Sequence, residues 1–271
     1  MSELLADRLT FESMTMLWDA SAVNGYSIEG SDGRLGTVSD LFFEDVGWVV
    51  RWLVVDTGNW LPGRKVLLPR SALGHPDRVL RHFPIKLTMQ QIKDSPNVDT
   101  DLPVSRQMEA QVHDYFGWDP YWSGSFPAMS NAMATPLVAP LYEAQSSPHD
   151  LAGSDAHANE GDPRLRSMAA ITGCHIHASD GEIGHVEDFI VDEEAWTIRY
   201  ALIDTGNWLP GKQILVAPQW IAHVDWKNSK VYVNLSREAI KTGPEFDPNK
   251  IDRDYEKELY KHYGRENYWW C

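Results

Sequence analysis

The sequence predicts a mainly β protein with some helices (α+β), assembled from two copies of one small module. Three observations indicate this fold class. A long segment recurs at a fixed spacing, short β-rich runs are separated by Gly, Asp and Pro, and each copy ends in segments with a helical apolar period. Because the recurring segment is much longer than a single element, the repeat unit is a whole module.

The repeat has a spacing of 148 residues. The motif D-T-G-N-W-L-P-G begins at Asp56 and again at Asp204, and 204 − 56 = 148. Between residues 21 and 63, 19 of 43 positions are identical to residues 169–211 without a gap. One residue is lost further on, so that Val104 matches Ile251, and 251 − 104 = 147. Chance does not produce such a match, and we infer a tandem duplication.

The duplication divides the chain into two modules and a linker. We expect the modules to occupy residues 1–122 and 164–271, and the linker residues 123–163. The linker is rich in Ser, Ala, Pro, Gly and Asp and has no apolar period. Its apolar stretch Thr135–Tyr142 is either an extended segment docked on a module or a spacer stiffened by proline.

Each module begins with β-rich runs. The pairs Asp32-Gly33 and Asp180-Gly181 carry the signal of a tight hairpin turn, in which Gly accepts a positive φ. The strands predicted in the first module are Leu35–Phe43, Trp48–Val55, Lys65–Leu68 and Arg78–Ile85. Several short strands at this spacing are typical of a small barrel or sandwich.

Each module ends in two short helices. The positions of Val104, Met108, Val112 and Tyr115 define one apolar helical face in the first module. The expected N-caps are Thr88 and Ser236 for the first helix of each module, and Ser105 and Asp252 for the second.

The motif D-G-x-x-G-x-V-x-D, followed by a hydrophobic strand and D-T-G-x-W-L-P-G, resembles the PRC-barrel family. That family is named after the cytoplasmic barrel of the H subunit of purple-bacterial photosynthetic reaction centres. The likeness covers Ser21–Leu73 and Ala169–Ile221. It implies two small PRC-type β-barrels, each followed by two short helices, and a protein that acts by docking on other macromolecules.

Composition and charge exclude several classes of function. The net charge of −15 and the lack of a basic run argue against nucleic acid as a partner. No apolar stretch approaches the ~18 residues of a membrane-spanning helix. The two cysteines, Cys174 and Cys271, do not make a disulfide framework. We therefore expect a cytoplasmic protein, either free or peripheral at the cytoplasmic face of the inner membrane.

The two D-T-G triplets allow two interpretations. In aspartic proteases, two such carboxylates share one proton and activate water. Here Asn59-Trp60 and Asn207-Trp208 follow the triplets, and a bulky Trp is a poor neighbour for a close approach of two carboxylates. We therefore expect a structural turn at the end of a strand, and the hydrolase remains a remote alternative.

Aromatic residues in the loops and at the module ends are the candidates for partner binding. Trp60 and Trp208 either fold back as lids on the modules or face a partner, since Trp is enriched at binding hot spots. The dense aromatic ends either pack on the protein itself or form a docking surface. The candidate residues are Asn59, Trp60, Leu61, Asn207, Trp208, Leu209, Trp118, Trp122, Trp269 and Trp270.

We predict no metal site, no cofactor and no catalytic residue. His175 and His177 lie on one face of a strand, but no third ligand is fixed by spacing. The chain has no Gly-rich phosphate loop, no G-x-S-x-G motif and no H-E-x-x-H motif.

The sequence therefore predicts a non-enzymatic adaptor or assembly protein that docks on a protein partner. The alternative implied by the resemblance is an accessory, H-like subunit of a photosynthetic reaction centre or another membrane electron-transfer complex. In that role the chain would stabilise the complex and aid proton delivery to a quinone.

Overall fold

The computed structural model describes residues 17–96, 104, 106–122, 165–206, 209–248 and 250–270. The predicted linker and the predicted cap Ser105 lie outside the described residues. We call residues 17–122 the first half and residues 165–270 the second half.

The strands are β1 (Leu17–Asp19), β2 (Ser27–Glu29), β3 (Arg34–Glu44), β4 (Val49–Asp56), β5 (Lys65–Pro69), β6 (His82–Pro84), β7 (Leu165–Ser167), β8 (His175–Ala178), β9 (Gly181–Asp192), β10 (Ile198–Asp204), β11 (Gln213–Val216), β12 (Ile221–Asp225) and β13 (Lys230–Val233). The α-helices are α1 (Met89–Asp94), α2 (Arg106–Phe116), α3 (Met168–Ile171), α4 (Arg237–Thr242) and α5 (Arg253–His262).

The strands form two sheets, which confirms the mainly β class with additional helices. The first sheet has the order β5-β4-β3-β2-β6, with β7 added beside β3. The second has the order β11-β10-β9-β8-β13-β12, with β1 added beside β9. Most neighbours are antiparallel, whereas β2 pairs with β6, and β8 with β13, in parallel.

The expectation of closed barrels is corrected, because the described strands leave both sheets open. Closure requires a staggered ladder between the two end strands. In the first sheet the end strands β5 and β6 do not pair with each other, and β6 has only 3 residues. The predicted strand Arg78–Ile85 is likewise reduced to His82–Pro84, because the chain turns at Arg81, whose φ is 52°.

The elements of the two halves correspond at the spacing of the repeat. Strand β2 begins at residue 27 and β8 at 175, and β6 begins at 82 and β13 at 230, a difference of 148 in both pairs. Helices α2 and α5 begin at 106 and 253, a difference of 147. In the first half, the isolated bridges Leu73↔Ile85 and Asp77↔His82 occupy the positions at which β12 pairs with β13 in the second half.

The two halves exchange their first strands. Strand β1 belongs to the first half but pairs with β9, and β7 belongs to the second half but pairs with β3. The exchange is reciprocal, since Leu17 pairs with Asp192 and Leu165 with Glu44, and 165 − 17 = 192 − 44 = 148. Each sheet is thus completed by the other half.

A pseudo-twofold axis passes between the halves at the bridge Val49↔Thr197, because these residues are equivalent to each other. On either side, the Val50 amide donates to the Trp196 carbonyl (2.8 Å) and the Ile198 amide to the Trp48 carbonyl (2.7 Å). Trp48 and Trp196 have φ values of 52° and 55°, a conformation that is uncommon for residues other than Gly. Both indoles pack against the core formed jointly by the two halves.

Local signals in the sequence explain the remaining elements. Gly36 and Gly184, the second glycines of the repeated motif, pack so closely on β4 and β10 that a Cβ atom would clash with the carbonyl oxygens of Asp56 and Asp204. The predicted cap Thr88 makes a capping box with Gln91 at the start of α1.

The predicted caps Ser236 and Asp252 are also confirmed, at the starts of α4 and α5. No helix in the described ranges is long and apolar enough to cross a membrane.

Candidate partner-binding site

The D-T-G triplets form the same hydrogen-bonded turn in both halves. Asp56 Oδ1 accepts from the Gly58 amide at 2.8 Å, and Asp204 Oδ1 accepts from the Gly206 amide at 2.7 Å. The buried hydroxyls of Thr57 and Thr205 lie within hydrogen-bond distance of two carbonyl oxygens across each turn.

The basic residue after each turn, Arg64 or Lys212, donates to carbonyls at the C-terminal end of α1 or α4. Burial lowers the pKa of Lys212. The turns therefore tie a strand to a helix, which is a structural role.

The same hydrogen bonds bear on the hydrolase alternative. An aspartic dyad needs two carboxylates that share one proton. Asp56 and Asp204 end β4 and β10, which belong to different sheets, and each carboxylate binds the backbone of its own turn. This arrangement matches the expectation of strand-end turns.

The loop after the first triplet holds its Trp against the protein. Trp60 is half-buried, packs on the core, and donates from Nε1 to the Leu35 carbonyl at 2.9 Å. Asn59 is exposed and Leu61 half-buried. This geometry is that of a lid, and a docking role of the loop stays a prediction. In the second half Leu209 is half-buried, whereas Asn207 and Trp208 lie outside the described residues.

The aromatic module ends pack on their own halves around a buried carboxylate. In the first half Glu109 of α2 accepts from Trp52 Nε1 at 2.7 Å and from the Tyr121 hydroxyl at 3.0 Å. In the second half Glu256 of α5 accepts from the hydroxyls of Tyr200 (2.8 Å) and Tyr268 (3.0 Å).

Trp52 corresponds to Tyr200, Glu109 to Glu256 and Tyr121 to Tyr268 at the repeat spacings. We call this arrangement the carboxylate lock. It connects sheet, helix and aromatic end in each half.

Arginine side chains complete the lock by cation–π contacts. The guanidinium carbon of Arg51 lies 4.2 Å from the Tyr121 ring centroid, and that of Arg106 lies 4.3 Å from the Trp122 ring. The equivalent contacts are Arg199 over Tyr268 (4.4 Å) and Arg253 over Trp269 (4.4 Å). Burial and the neighbouring Glu carboxylate raise the pKa of both tyrosines.

Two further predicted aromatic candidates are Trp118 and Trp270. Trp118 stacks on Phe116 with a centroid distance of 4.3 Å. Trp270 ends the last 3-10 turn, and its side chain lies outside the described residues.

Sequence reasoning did not find the lock. Acidic residues on a short helix are ordinarily exposed, and Glu109 and Glu256 gave no local sign of burial. The repeat contained a usable signal, because an acidic residue recurs at the same place on an apolar helix face in both copies.

The two halves differ in their exposed apolar side chains. Among the described residues, the exposed large hydrophobic side chains all belong to the first half: Val46 (72% exposed), Val79 (91%), Leu80 (67%) and Tyr115 (41%). The second half has a polar residue at each equivalent position: Glu194, Lys227, Asn228 and His262. The two halves therefore correspond in their elements and differ in this part of their surface.

Val79 and Leu80 stand at the tip of a well-fixed turn, which we call the tip. The Leu80 amide donates to Asp77 Oδ1 at 2.8 Å. Arg78 forms an ion pair with Glu193 of the other half. The Arg81 guanidinium lies 4.9 Å from the Tyr26 ring. The flanking arginines hold the turn while the two aliphatic side chains project.

A pocket of about 520 Å³ lies on the same segment of the first half. Its walls include Ala72, Leu73, Ile85, Leu87 and Trp118. The charged side chain Lys86 stands at its rim and is exposed. The volume falls within the usual ~300–1,000 Å³ of ligand pockets.

His175 and His177 pair with a carboxylate instead of a metal ligand set. His175 Nδ1 lies 2.9 Å from Glu182 Oε1, and His177 stacks on Tyr232. The hydrogen bond from His175 lowers the pKa of Glu182. In the part of the chain that the structure describes, no group of three or more His, Cys, Asp or Glu side chains could hold a metal ion.

The comparison with protein families agrees with the motif-based resemblance for the second half. An uncharacterized protein of Deinococcus radiodurans is 34% identical over 95 residues, which cover 34% of this chain. The match covers 32% of that protein, so the shared region is about a third of its length. Residues 169–240 match the PRC-barrel domain family. A PRC-barrel domain is therefore found at residues 169–240.

Proposed function

We propose that the protein is a non-catalytic adaptor made of two PRC-type modules, in which the first half docks on a protein partner. A PRC-barrel domain at residues 169–240 suggests a role in protein interaction. In this proposal residues 1–122 form the first module, 123–163 the linker and 164–271 the second module.

The correspondence of the halves supports a second PRC-type module in the first half. Their strands and long helices follow each other at spacings of 148 and 147, and both contain the D-T-G turn and the carboxylate lock. Reciprocal strand exchange joins them into one unit. Such a unit presents two related surfaces in a fixed relation.

We assign docking to the first half because the exposed large apolar side chains of the described residues all lie there. Single exposed apolar side chains are ordinary on protein surfaces. Here the same scaffold exists twice in one chain, and only the first half places adjacent aliphatic side chains on its tip, where the second has Lys227 and Asn228. A partner that covers Val79 and Leu80 removes their apolar surface from water, which favours binding by about 25 cal/mol per Å².

The non-catalytic character rests on how the carboxylates are used. Asp56 and Asp204 accept hydrogen bonds from turn amides, and Glu109 and Glu256 are buried in the lock. A general acid or base must instead reach a substrate. A peptidase assay across acidic pH would contradict the proposal if wild type cleaved peptides and Asp56→Asn abolished the cleavage.

Site-specific photocrosslinking in the native host cells tests the docking. A photoreactive phenylalanine analogue is placed at Val79 in one variant and at the equivalent Lys227 in the matched control. We expect a discrete crosslinked protein from position 79 and none from position 227. Equal products from both positions, or none from position 79, would contradict the assignment. A subunit of a membrane electron-transfer complex as the crosslinked protein would support the H-like alternative.

A further inference from the structure

The two halves differ at one large interior position. Trp220 of the second half is 1% exposed, and its ring lies 5.1 Å from that of Tyr260 and 5.0 Å from that of Tyr263. The equivalent residue in the first half is Ala72, since 220 − 72 = 148. Ala72 is half-buried and lines the 520 Å³ pocket. The second half thus supplies its own aromatic side chain where the described residues of the first half line a pocket.

A second difference keeps the pocket accessible in the first half. In the second half Arg265 donates to the Asn234 carbonyl at 2.7 Å, a contact across this site. The equivalent residues in the first half are Trp118 and Lys86, and Trp118 stacks on Phe116 instead. Trp118 forms an apolar wall of the pocket, and Lys86 provides a positive charge at its rim.

The segment around the pocket is basic, although the chain as a whole is acidic. Residues 70–86 contain four basic residues (Arg70, Arg78, Arg81 and Lys86) and one acidic residue (Asp77), a net charge of +3 (4 − 1). The equivalent residues 218–234 contain two basic residues and one acidic residue, a net charge of +1 (2 − 1). The whole chain carries −15. Arg78 is paired with Glu193, so the charge at the pocket itself is that of Lys86. This positive charge favours an acidic ligand.

We propose that the pocket beside Ala72 receives an aromatic side chain of the protein partner, and that an acidic residue next to it pairs with Lys86. The inference rests on the proposed function, because it assumes that the first half docks on a protein. Trp220 provides the internal precedent for an indole at this place in the scaffold. The pocket is lined mainly by residues 71–74 and 84–87, which flank the tip in the chain, and in this proposal one partner covers both.

Binding of labelled peptides to the full chain tests this inference. The probe is a fluorescein-labelled peptide Gly-Asp-Trp-Asp-Gly, followed by fluorescence anisotropy. The comparison peptides replace Trp by Ala, or both Asp by Lys. We expect the acidic Trp peptide to bind and each comparison peptide to bind at least about 30-fold more weakly, the ratio that corresponds to the ~2 kcal/mol threshold of a hot spot.

The variant Ala72→Trp copies the second half and fills the pocket. We expect it to weaken binding of the Trp peptide by about 30-fold or more. Ala222→Trp adds an indole to the exposed face of β12 and is the matched control, with binding unchanged. If Ala72→Trp does not fold, Lys86→Glu replaces it: this variant should lose the acidic Trp peptide and gain the Lys-flanked one.

Three results would overturn the inference. The first is equal binding of the Trp and Ala peptides. The second is tighter peptide binding after Leu137, Leu141 and Tyr142 are changed to Ser, which would make the linker the occupant. The third is binding to phosphatidylglycerol vesicles that Ala72→Trp abolishes, which would make a membrane the ligand. If any of these occurs while the crosslink at position 79 persists, the pocket assignment fails and the proposed docking stands. Loss of that crosslink contradicts the docking itself.

Discussion

The two halves of the chain share a scaffold and differ in one interior position and in the side chains exposed on one turn. Both have the D-T-G turn, the carboxylate lock and an exchanged strand. The second half fills its interior with Trp220 and places Lys227 and Asn228 on its turn. The first half has Ala72 and a pocket, with Val79 and Leu80 on the tip. In the proposed function, the second half contributes stability at these positions while the first half exposes surface for binding.

The reciprocal strand exchange makes this division possible. Neither half completes its sheet alone, because β7 pairs with β3 and β1 with β9. Residues of both halves belong to one core cluster, and Phe43 and Phe189 approach to 5.9 Å across it. Residues that stabilise one half therefore also stabilise the other.

The largest expected effect on stability is at Trp220. Trp220→Ala removes a fully buried indole from between two tyrosines, and we expect a loss of about 3–5 kcal/mol in the free energy of unfolding. Urea unfolding measures the change. Trp226→Ala is the control, since Trp226 is half-buried, and its loss should be clearly smaller. Equal losses would show that the second half does not depend on this aromatic.

The carboxylate lock should contribute similarly to both halves. Tyr200 and Tyr268 both donate to Oε1 of Glu256, whereas Oε2 pairs with Arg253. Glu256→Gln therefore keeps the size of the side chain but removes its charge and places an amide NH₂ group opposite the Arg253 guanidinium. We expect a loss of about 1–3 kcal/mol. Glu109→Gln should give a comparable loss. The control is Glu258→Gln, because Glu258 is exposed on the same helix as Glu256. If a lock variant lost no more unfolding free energy than this control, the stabilising role of the carboxylate lock would be contradicted.

The lid interpretation of Trp60 predicts a smaller effect. Trp60→Phe keeps most of the ring but removes the hydrogen bond to the Leu35 carbonyl. We expect unfolding free energy to fall by about 0.5–1.5 kcal/mol and partner binding to be unchanged. Thermal unfolding and a binding assay of the same variant decide between the two roles. Unchanged stability together with lost partner binding would support docking through this loop.

The smallest expected effect is a difference in acid sensitivity between the halves. Burial lowers the pKa of His113 below its ordinary value of 6.5, whereas the equivalent residue in the second half is Tyr260. As pH falls below about 6.5, the unfolded chain binds a proton at this residue and the folded chain does not, so stability decreases towards the lower folded pKa.

His113→Tyr should reduce the loss of stability between pH 7.5 and pH 5.5. The exposed residue His75 provides the control, since His75→Tyr should behave as wild type. Urea unfolding at the two pH values measures both. An identical pH dependence in wild type and His113→Tyr would contradict the assignment.

Local features of the fold were predictable from the sequence. The strand Leu35–Phe43 and the caps Thr88 and Asp252 depend on residues that are close in the chain, and they are confirmed. The pairing of β1 with β9 joins residues more than 170 positions apart, and three-residue strands carry no periodic signal that would identify their partners.

The dependence on distant parts of the chain also explains why the sequence did not predict the exposed residues of the proposed docking surface. The aromatic loops drew attention because Trp is common at interfaces, yet Trp60 uses its indole within its own half. Val79 and Leu80 fall within the predicted strand Arg78–Ile85, since β-branched and aromatic residues favour strands. A turn bridged by Asp77 and His82, with a positive φ at Arg81 and the Asp77 side chain bound to the Leu80 amide, exposes them instead.

The most direct test of the central claim is a reciprocal exchange of the tip residues. The double variant Val79→Lys/Leu80→Asn gives the first half the surface of the second, and Lys227→Val/Asn228→Leu does the opposite. Affinity for the protein crosslinked at position 79 is measured by isothermal titration calorimetry, with melting temperature as the control for folding. The account predicts that the first variant weakens binding about 30-fold or more at unchanged melting temperature, and that the second leaves affinity as in wild type. Wild-type affinity in the first variant would contradict it.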